Sequence, residues 1–344
     1  MRPTVIDIAR EAGVSLATVD RVLNARPGVR AATIAAVNDA IARIGYVRDV
    51  AAANLARQRL YRFVFALPEV PSQFLSALRS AIMEAAEGLA ADRSEVTIVT
   101  YPPRDPHVLV ERFRAADLAA PDGVAIMAAE TPEVRDLILR LREGGAAVVS
   151  LVTDQSQAPR DHFVGIDNVA AGRTAGVLMG RFVGPRPGKV AVVVSSMQAR
   201  DMVERRLGFD ALLAERFPGL EPLPSVEGHD DAEVTERVMA ACLATHGPVA
   251  GIYAAAAGTR GVTAALKAAG LAGKVVMVAH ELTPHTREAL VDGTCDAVIA
   301  QDPGHIARSA LRVLRAKADG RSILSAQERI RIEIVLRENL SSLS

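Results

Sequence analysis

Apolar positions near the start of the chain fall at three- and four-residue steps. Val5, Ile8, Ala9 and Ala12 share one face of a predicted helix. Thr4 caps it, with Asp7 three residues on as a weak capping box, and Gly13 stops it. Ser15 suits the N-cap of a second helix in which Val19, Val22 and Leu23 share a face. Ala17 and Arg21 point almost directly the other way. Ser15, Leu16, Ala17, Thr18 and Arg21 therefore present a face that is small and polar at its start and basic at its end. A third helix over 31–44 carries Ile34, Val37, Ile41 and Ile44 on one side and closes a small core. Residues 47–60, capped by Asp49, suggest a fourth helix, too short to be stable alone.

From Phe63 the pattern changes. Short apolar runs at 63–67, 96–101, 123–127, 147–152, 163–166, 189–194, 251–254, 274–279 and 296–300 read as strands. Stretches of helical period, such as 74–89 and 131–143, lie between most of them. Such alternation predicts parallel sheets with helices on both faces. It runs too long for one unit, so two lobes are expected, with a cleft at the strand ends.

Composition and charge add a division of labour. The 344 residues exceed one typical domain, and half of them are apolar, ample for large cores. No apolar run reaches the ~18 residues of a membrane span. The charged N-terminus lacks the apolar core of a secretion signal, which predicts a cytoplasmic protein. Cys242 and Cys295 stand singly in apolar surroundings and read as core filling. Net charge is zero, but residues 1–62 hold ten Arg against five acids, a net of +5, leaving −5 for the rest. A basic N-terminal module on an acidic body is the electrostatic footprint of a DNA binder.

The string DIAREAGVSLATVDRVLN (7–24) resembles, without a gap, the helix-turn-helix of LacI-family bacterial repressors. The segments VGIDNVAAGRTAG (164–176), ERRLGF (204–209) and AQDP (300–303) resemble the family's periplasmic-binding-protein-like body. The resemblance covers essentially the whole chain. It implies a small all-α helix-turn-helix domain followed by an α/β two-lobed periplasmic-binding-protein-like domain with parallel sheets. The expected divisions are 1–46 for the DNA-binding domain, 47–61 for a hinge helix and 62–344 for the effector and dimerisation domain. Lobe 1 is expected at about 62–165 plus 301–322, and lobe 2 at about 166–300 plus 323–344.

On double-stranded operator DNA, Ala17 and Arg21 are expected to face base edges, with Leu16 beside them. Arg21 fits a guanine or a phosphate. Thr4, Ser15, Thr18 and Asn24 position or cap, and Tyr46 matches the family's G-Y. The resemblance makes Leu55 the leucine that wedges into the minor groove, with Ala52 the small residue before it. Arg48, Asp49 and Ala53 depart from the family's hinge. Asp20 lies where many relatives have serine; it would repel phosphate or accept from a cytosine amino group.

The family's sugar-gripping arginine falls at Arg205, and its acid at Glu281. Gln301 lies at the second return between lobes, and Phe74 matches the aromatic after the first strand. Glu130 and Asp154 are further strand-end carboxylates. Asp167 and Asn168 fit the crossover turn, as Gly258–Gly261 fits a loop-to-helix turn. Ala255 and Ala256 replace a polar pair common in the family. The resemblance implies a small carbohydrate-like effector, a sugar, polyol or sugar acid, in a pocket that the two alanines shape differently.

No dinucleotide loop, P-loop, HExxH or nucleophile elbow occurs, so no enzyme, cofactor or metal is expected. His280 beside Glu281 is one pair able to do acid–base work, and packing under the cleft suits it better. The expected protein is a homodimeric repressor controlled by a small molecule. The alternative is a sugar-binding receptor without transcriptional role, which would call for a signal peptide in place of the helix-turn-helix.

Overall fold

The first apolar stripes become three short helices in the computed structural model, which describes residues 3–23, 26–46, 59–89, 93–115 and 120–340. They are α1 (Val5–Ala12), α2 (Leu16–Leu23) and α3 (Ala31–Ile44). Ile8, Ala9, Val19, Val37 and Ala40 are buried together, with Val14, Val22, Ile41, Ile44 and Tyr46 packed against them. Val5 and Ile34, at the ends of the stripes, are exposed. Gly13 adopts left-handed backbone at φ +64°, and the Val14 N–H returns to the Ala9 carbonyl at 3.0 Å. That cap turns the chain into α2. Ser15 Oγ accepts from the Thr18 backbone N–H at 3.2 Å, completing the N-cap.

Contacts divide the chain into two compact units, Met1–Arg59 and Leu60–Ser344. The second unit alternates strand and helix. Its first sheet comes from β1 (Tyr61–Pro68), β2 (Ser94–Tyr101), β3 (Gly123–Ile126), β4 (Ala147–Leu151) and β5 (His162–Val164). Helices α4 (Gln73–Leu89), α5 (Pro106–Ala115) and α6 (Pro132–Glu143) connect them. The strand order is β2-β1-β3-β4-β5, parallel throughout.

The second sheet follows α7 (Asn168–Val183). It contains β6 (Gly188–Val194), β7 (Leu220–Glu227), β8 (Gly251–Ala254), β9 (Val276–His280), β10 (Ala297–Ala300) and β11 (Glu333–Val335). Its intervening helices are α8 (Arg200–Arg216), α9 (Ala232–His246), α10 (Thr259–Ala268) and α11 (Pro284–Val291). The order is β11-β10-β9-β8-β6-β7, with β11 antiparallel to β10 and the other pairs parallel. After β10 the chain returns to the first lobe as α12 (Pro303–Ala318), which packs on α4, β3 and β4. It then goes back to supply β11.

Two strands escape the hydrophobic pattern. β7 carries Pro222 and Pro224 and lies at the sheet edge, where a residue without an N–H is tolerated. β11 spans three residues, two of them exposed, too few to show a period.

Helices α7 and α8 cross in close contact. A methyl group on Gly172 would overlap the Arg205 carbonyl oxygen, and one on Gly208 would overlap that of Val169. Gly208→Ala is therefore expected to cost about 1–3 kcal/mol through overpacking. It should also weaken any ligand held by Arg205. Gly88→Ala, in open space on α4, should be neutral or slightly stabilising. Paired thermal melts check both.

Candidate nucleic-acid interface and ligand cleft

On α2 the side away from the head's core carries Ser15, Leu16, Ala17 and Arg21 in the open. Leu16 is 50% exposed, far more than an apolar residue needed for packing. Thr18 is half-buried, and its hydroxyl meets Ser15 Oγ at 2.9 Å. Thr4 gives its N–H and hydroxyl to Asp7 at 2.8 and 2.7 Å, which fixes the start of α1. Asp20 lies 3.3 Å from the Arg26 guanidinium. That pair, exposed and individually weak, still offsets the repulsion a lone carboxylate would bring to phosphate.

In the larger unit, the carboxyl ends of the strands of both sheets meet around a cavity of about 220 Å³. Pro68, Tyr101, Met127 and Val152 come from the first sheet's ends, and Ser195, His229, Ala256 and Glu281 from the second's. The first turn of α4 and the first two turns of α8 close the sides with Phe74, Asp201 and Arg205. A second hollow, of about 290 Å³, shares Phe74, Asp230, Ala257 and Glu281 with it.

Arg205 anchors the floor and is 2% exposed. Its Nε donates to Asn168 Oδ1 at 2.9 Å and Nη1 to the Ala255 carbonyl at 2.7 Å, while Nη2 lies 3.7 Å from Glu281 Oε1. Gln301 Nε2 donates to the same Glu281 oxygen at 2.8 Å. Glu281 Oε2 is buried with no hydrogen-bond partner among the described residues. The Tyr253 hydroxyl meets His280 Nε2 at 2.8 Å, and its ring stacks on Phe209 with centroids 4.5 Å apart. These contacts hold a guanidinium and a carboxylate rigidly side by side, a pair suited to hydroxyls or other polar groups of a bound molecule.

Burial raises the Glu281 carboxyl above its usual range, partly offset by Arg205. Asp201 is raised for the same reasons. Burial and the Asp201 charge push Asp230 up to about 6. Burial, with Arg205 nearby, holds His280 well below the usual range, so its ring is neutral. Val152, His229, Asp230 and Glu281, all in the lining, have positive φ of 61°, 54°, 58° and 66°. Such backbone costs about 1–3 kcal/mol per residue and gathers where structure serves a ligand.

The model of bacterial regulatory proteins of the lacI family matches residues 4–49, and that of a periplasmic binding protein domain matches 63–322. The chain belongs to the LacI family. LacI-family chains are DNA-binding transcription regulators with an effector domain, and the family is not one of enzymes. Catabolite control protein A of Staphylococcus aureus is 30% identical over 139 residues, 40% of this chain and 41% of that protein. The Staphylococcus epidermidis protein of that name is 27% identical over 168 residues, 48% of each chain. The chain thus spans less than half the length of the curated relatives it matches.

The glucose-galactose binding protein GanP of Geobacillus stearothermophilus superposes with a TM-score of 0.74 at 19% identity, over 82% of this chain and 99% of that one. A solute binding protein from Burkholderia graminis in complex with D-arabinose gives 0.74 at 22%, over 83% and 98%. A putative LacI transcriptional regulator from Bacteroides fragilis gives 0.72 at 18%, over 82% and 99%. These likenesses show the fold.

Within this LacI-family body, Phe74, Arg205 and Glu281 line the cleft together, whereas three other expected site residues do not. Gln301 stands behind Glu281 as its hydrogen-bond donor. The backbone turns at Val152, so that Thr153 lines the cleft and Asp154 pairs with Arg160 and Ser150. Glu130 accepts from Gln157 N–H and from Arg200 at 2.9 Å, which ties the first lobe to α8. Both carboxylates are therefore committed to protein partners outside the lining.

Asn168 does more than set the crossover turn, because its side chain orients Arg205. Asp167 caps α7 by accepting from the Ala170 N–H at 2.9 Å. Tyr46 packs on the head's core, with its face only partly open. Asn24, Ala52 and Leu55, with Arg48, Asp49 and Ala53, lie outside the described residues. Sequence reasoning missed Thr153, Asp201, His229 and Asp230. Asp201 had a visible signal, standing four residues before Arg205 on one helix face.

Proposed function

We propose that this regulator is a cytoplasmic repressor that binds a palindromic operator as a homodimer and answers to a small carbohydrate-like effector. The effector sits in the cleft between the lobes. The observation that carries this reading is the buried Arg205–Glu281–Gln301 set on the cleft floor, in which Glu281 Oε2 and Gln301 Oε1 have no hydrogen-bond partner among the described residues. A buried polar atom left open is costly, and a ligand would satisfy it. The complex of the Burkholderia graminis protein with D-arabinose supports a carbohydrate-like ligand for the same fold.

In this reading the head spans 1–46, the hinge 47–61, and the remainder is the effector and dimerisation domain. Ala17, Leu16 and Arg21 read base edges, while Thr4, Ser15, Thr18 and Asn24 set the register. Tyr46, Ala52 and Leu55 act at the hinge end. A change of angle between the lobes alters the spacing of the two hinges in the dimer and so couples effector to operator.

Fluorescence anisotropy with a duplex bearing a palindrome from upstream of the gene tests the DNA arm. Binding should favour that duplex over an unrelated one and weaken as salt rises. Arg21→Ala should raise the operator Kd about 10–100-fold, the loss of about 1–3 kcal/mol from a paired contact to guanine. Binding to unrelated DNA should change little. An equal loss on both duplexes would make Arg21 a phosphate contact, and no sequence preference in the wild-type protein would remove the operator reading.

A further inference from the structure

The charges of the cleft narrow the chemistry of its ligand, granted the reading above that the effector binds there. Asp201, Asp230 and Glu281 all line it, and Asp201 acts electrostatically on both of the others. Against these three carboxylates stands one buried guanidinium, Arg205, already bonded to Asn168 and the Ala255 carbonyl. Arg104 and Arg260 lie exposed at the rims, and His280 is neutral. The interior therefore holds an excess of acid. One of its acceptors, Glu281 Oε2, in a residue 8% exposed, has no hydrogen-bond partner among the described residues, and the Thr153 hydroxyl faces Asp201. A sugar acid would add a further negative charge. A neutral sugar would leave the excess to be met only by protonation, the direction in which burial already pushes all three carboxyls. A cation compensates it, and the rings of Phe74 and Tyr101 in the same lining provide faces for one.

We propose that the effector carries a protonated amine on a hydroxylated body, with the ammonium held among Glu281, Asp201 and Asp230 and the hydroxyls turned toward Arg205.

Matched probes test this on the full-length protein by thermal shift in phosphate buffer at neutral pH. Tris(hydroxymethyl)aminomethane and pentaerythritol differ by an ammonium in place of one hydroxymethyl arm, and 3-hydroxy-2,2-bis(hydroxymethyl)propanoate carries a carboxylate there instead. Glucosamine, glucose and glucuronate form a larger set. In at least one set the amine should raise the melting temperature with an apparent Kd at least about tenfold lower than its neutral and acidic counterparts, a difference of about 1.4 kcal/mol. The double variant Glu281→Gln, Asp230→Asn should lose that advantage while its own melting transition stays cooperative.

The proposal is overturned if no amine stabilises the protein, if a neutral or acidic counterpart does so as well, or if the double variant keeps the preference. Should a neutral or acidic compound give a shift that Arg205→Ala removes, the effector cleft stands and only the amine falls. Should no compound give a shift dependent on Arg205, both readings fall.

Discussion

Arg205→Ala is expected to abolish the effector response, with a loss of effector affinity above about 100-fold, while operator binding by the head stays near that of the wild-type protein. Arg205 donates to Asn168 and to the Ala255 carbonyl and stands beside Glu281. Removing it takes away the donor proposed for the ligand and the only buried guanidinium among the cleft's described lining residues. Breaking a buried charge pair of this kind costs about 3–5 kcal/mol, so the variant should also melt at a lower temperature. Arg205→Lys separates the two effects. It keeps the charge, and so much of the stability, but loses the planar fork that holds two partners at once. Thermal shift with a bound compound, alongside operator titration, reads both. A normal response in Arg205→Ala would remove Arg205 from the ligand's contacts.

Asp230→Asn should stabilise the ligand-free protein at pH 7.5 by about 2 kcal/mol, allowing for solvent screening of a side chain that is not fully enclosed. Burial and the Asp201 charge push the Asp230 carboxyl up to about 6, against an ordinary value of 3.8. Between those values the folded chain holds a proton that the unfolded chain has released. The group's contribution is therefore full below about pH 4 and is lost as pH rises through about 6. Asparagine carries no charge to lose and tolerates the left-handed backbone at this position, φ 58°. Melting temperatures from pH 4 to 8 should show the variant above the wild-type protein at neutral pH, with the gap closing toward pH 4. A constant gap at every pH would mean that Asp230 titrates in its ordinary range.

The contrast between Arg205 and Asp154 shows how far the sequence could be read. Arg205 was legible because the segment ERRLGF resembles the family's, and the structure shows its glycine at the close helix crossing beside which Arg205 enters the cleft. Asp154 follows a strand, and its direction depends on the backbone of Val152, whose left-handed turn leaves no mark in the hydrophobic pattern. Glu130 was misplaced for a related reason: its partner Arg200 is seventy positions away and in the other lobe. Most strands were visible as apolar runs because parallel strands covered on both faces carry few polar residues. β7 was not, since Pro222 and Pro224 read as a loop until its edge position is known. With β7 hidden, Asp230, just beyond its end, was hidden too. Reading the i,i+4 neighbours of Arg205 would have found Asp201.

The head was legible for the opposite reason. Its core needs only a handful of apolar residues at helical spacing, and every exposed residue of α2 follows from the face those residues leave open. The sequence left Asp20 as an unfavourable charge on that face. Its pairing with Arg26 depends on where the chain goes after α2, which periodicity does not report.

One molecule in the cleft is expected to control what the head does on DNA. The most direct measurement is the operator Kd by fluorescence anisotropy, with and without a saturating compound that raises the melting temperature in an Arg205-dependent manner. The Kd should shift by about 5–150-fold, a coupling of about 1–3 kcal/mol, and the compound's own affinity should shift by the same factor when operator is present. An operator Kd unchanged by a compound that fills the cleft would contradict that control.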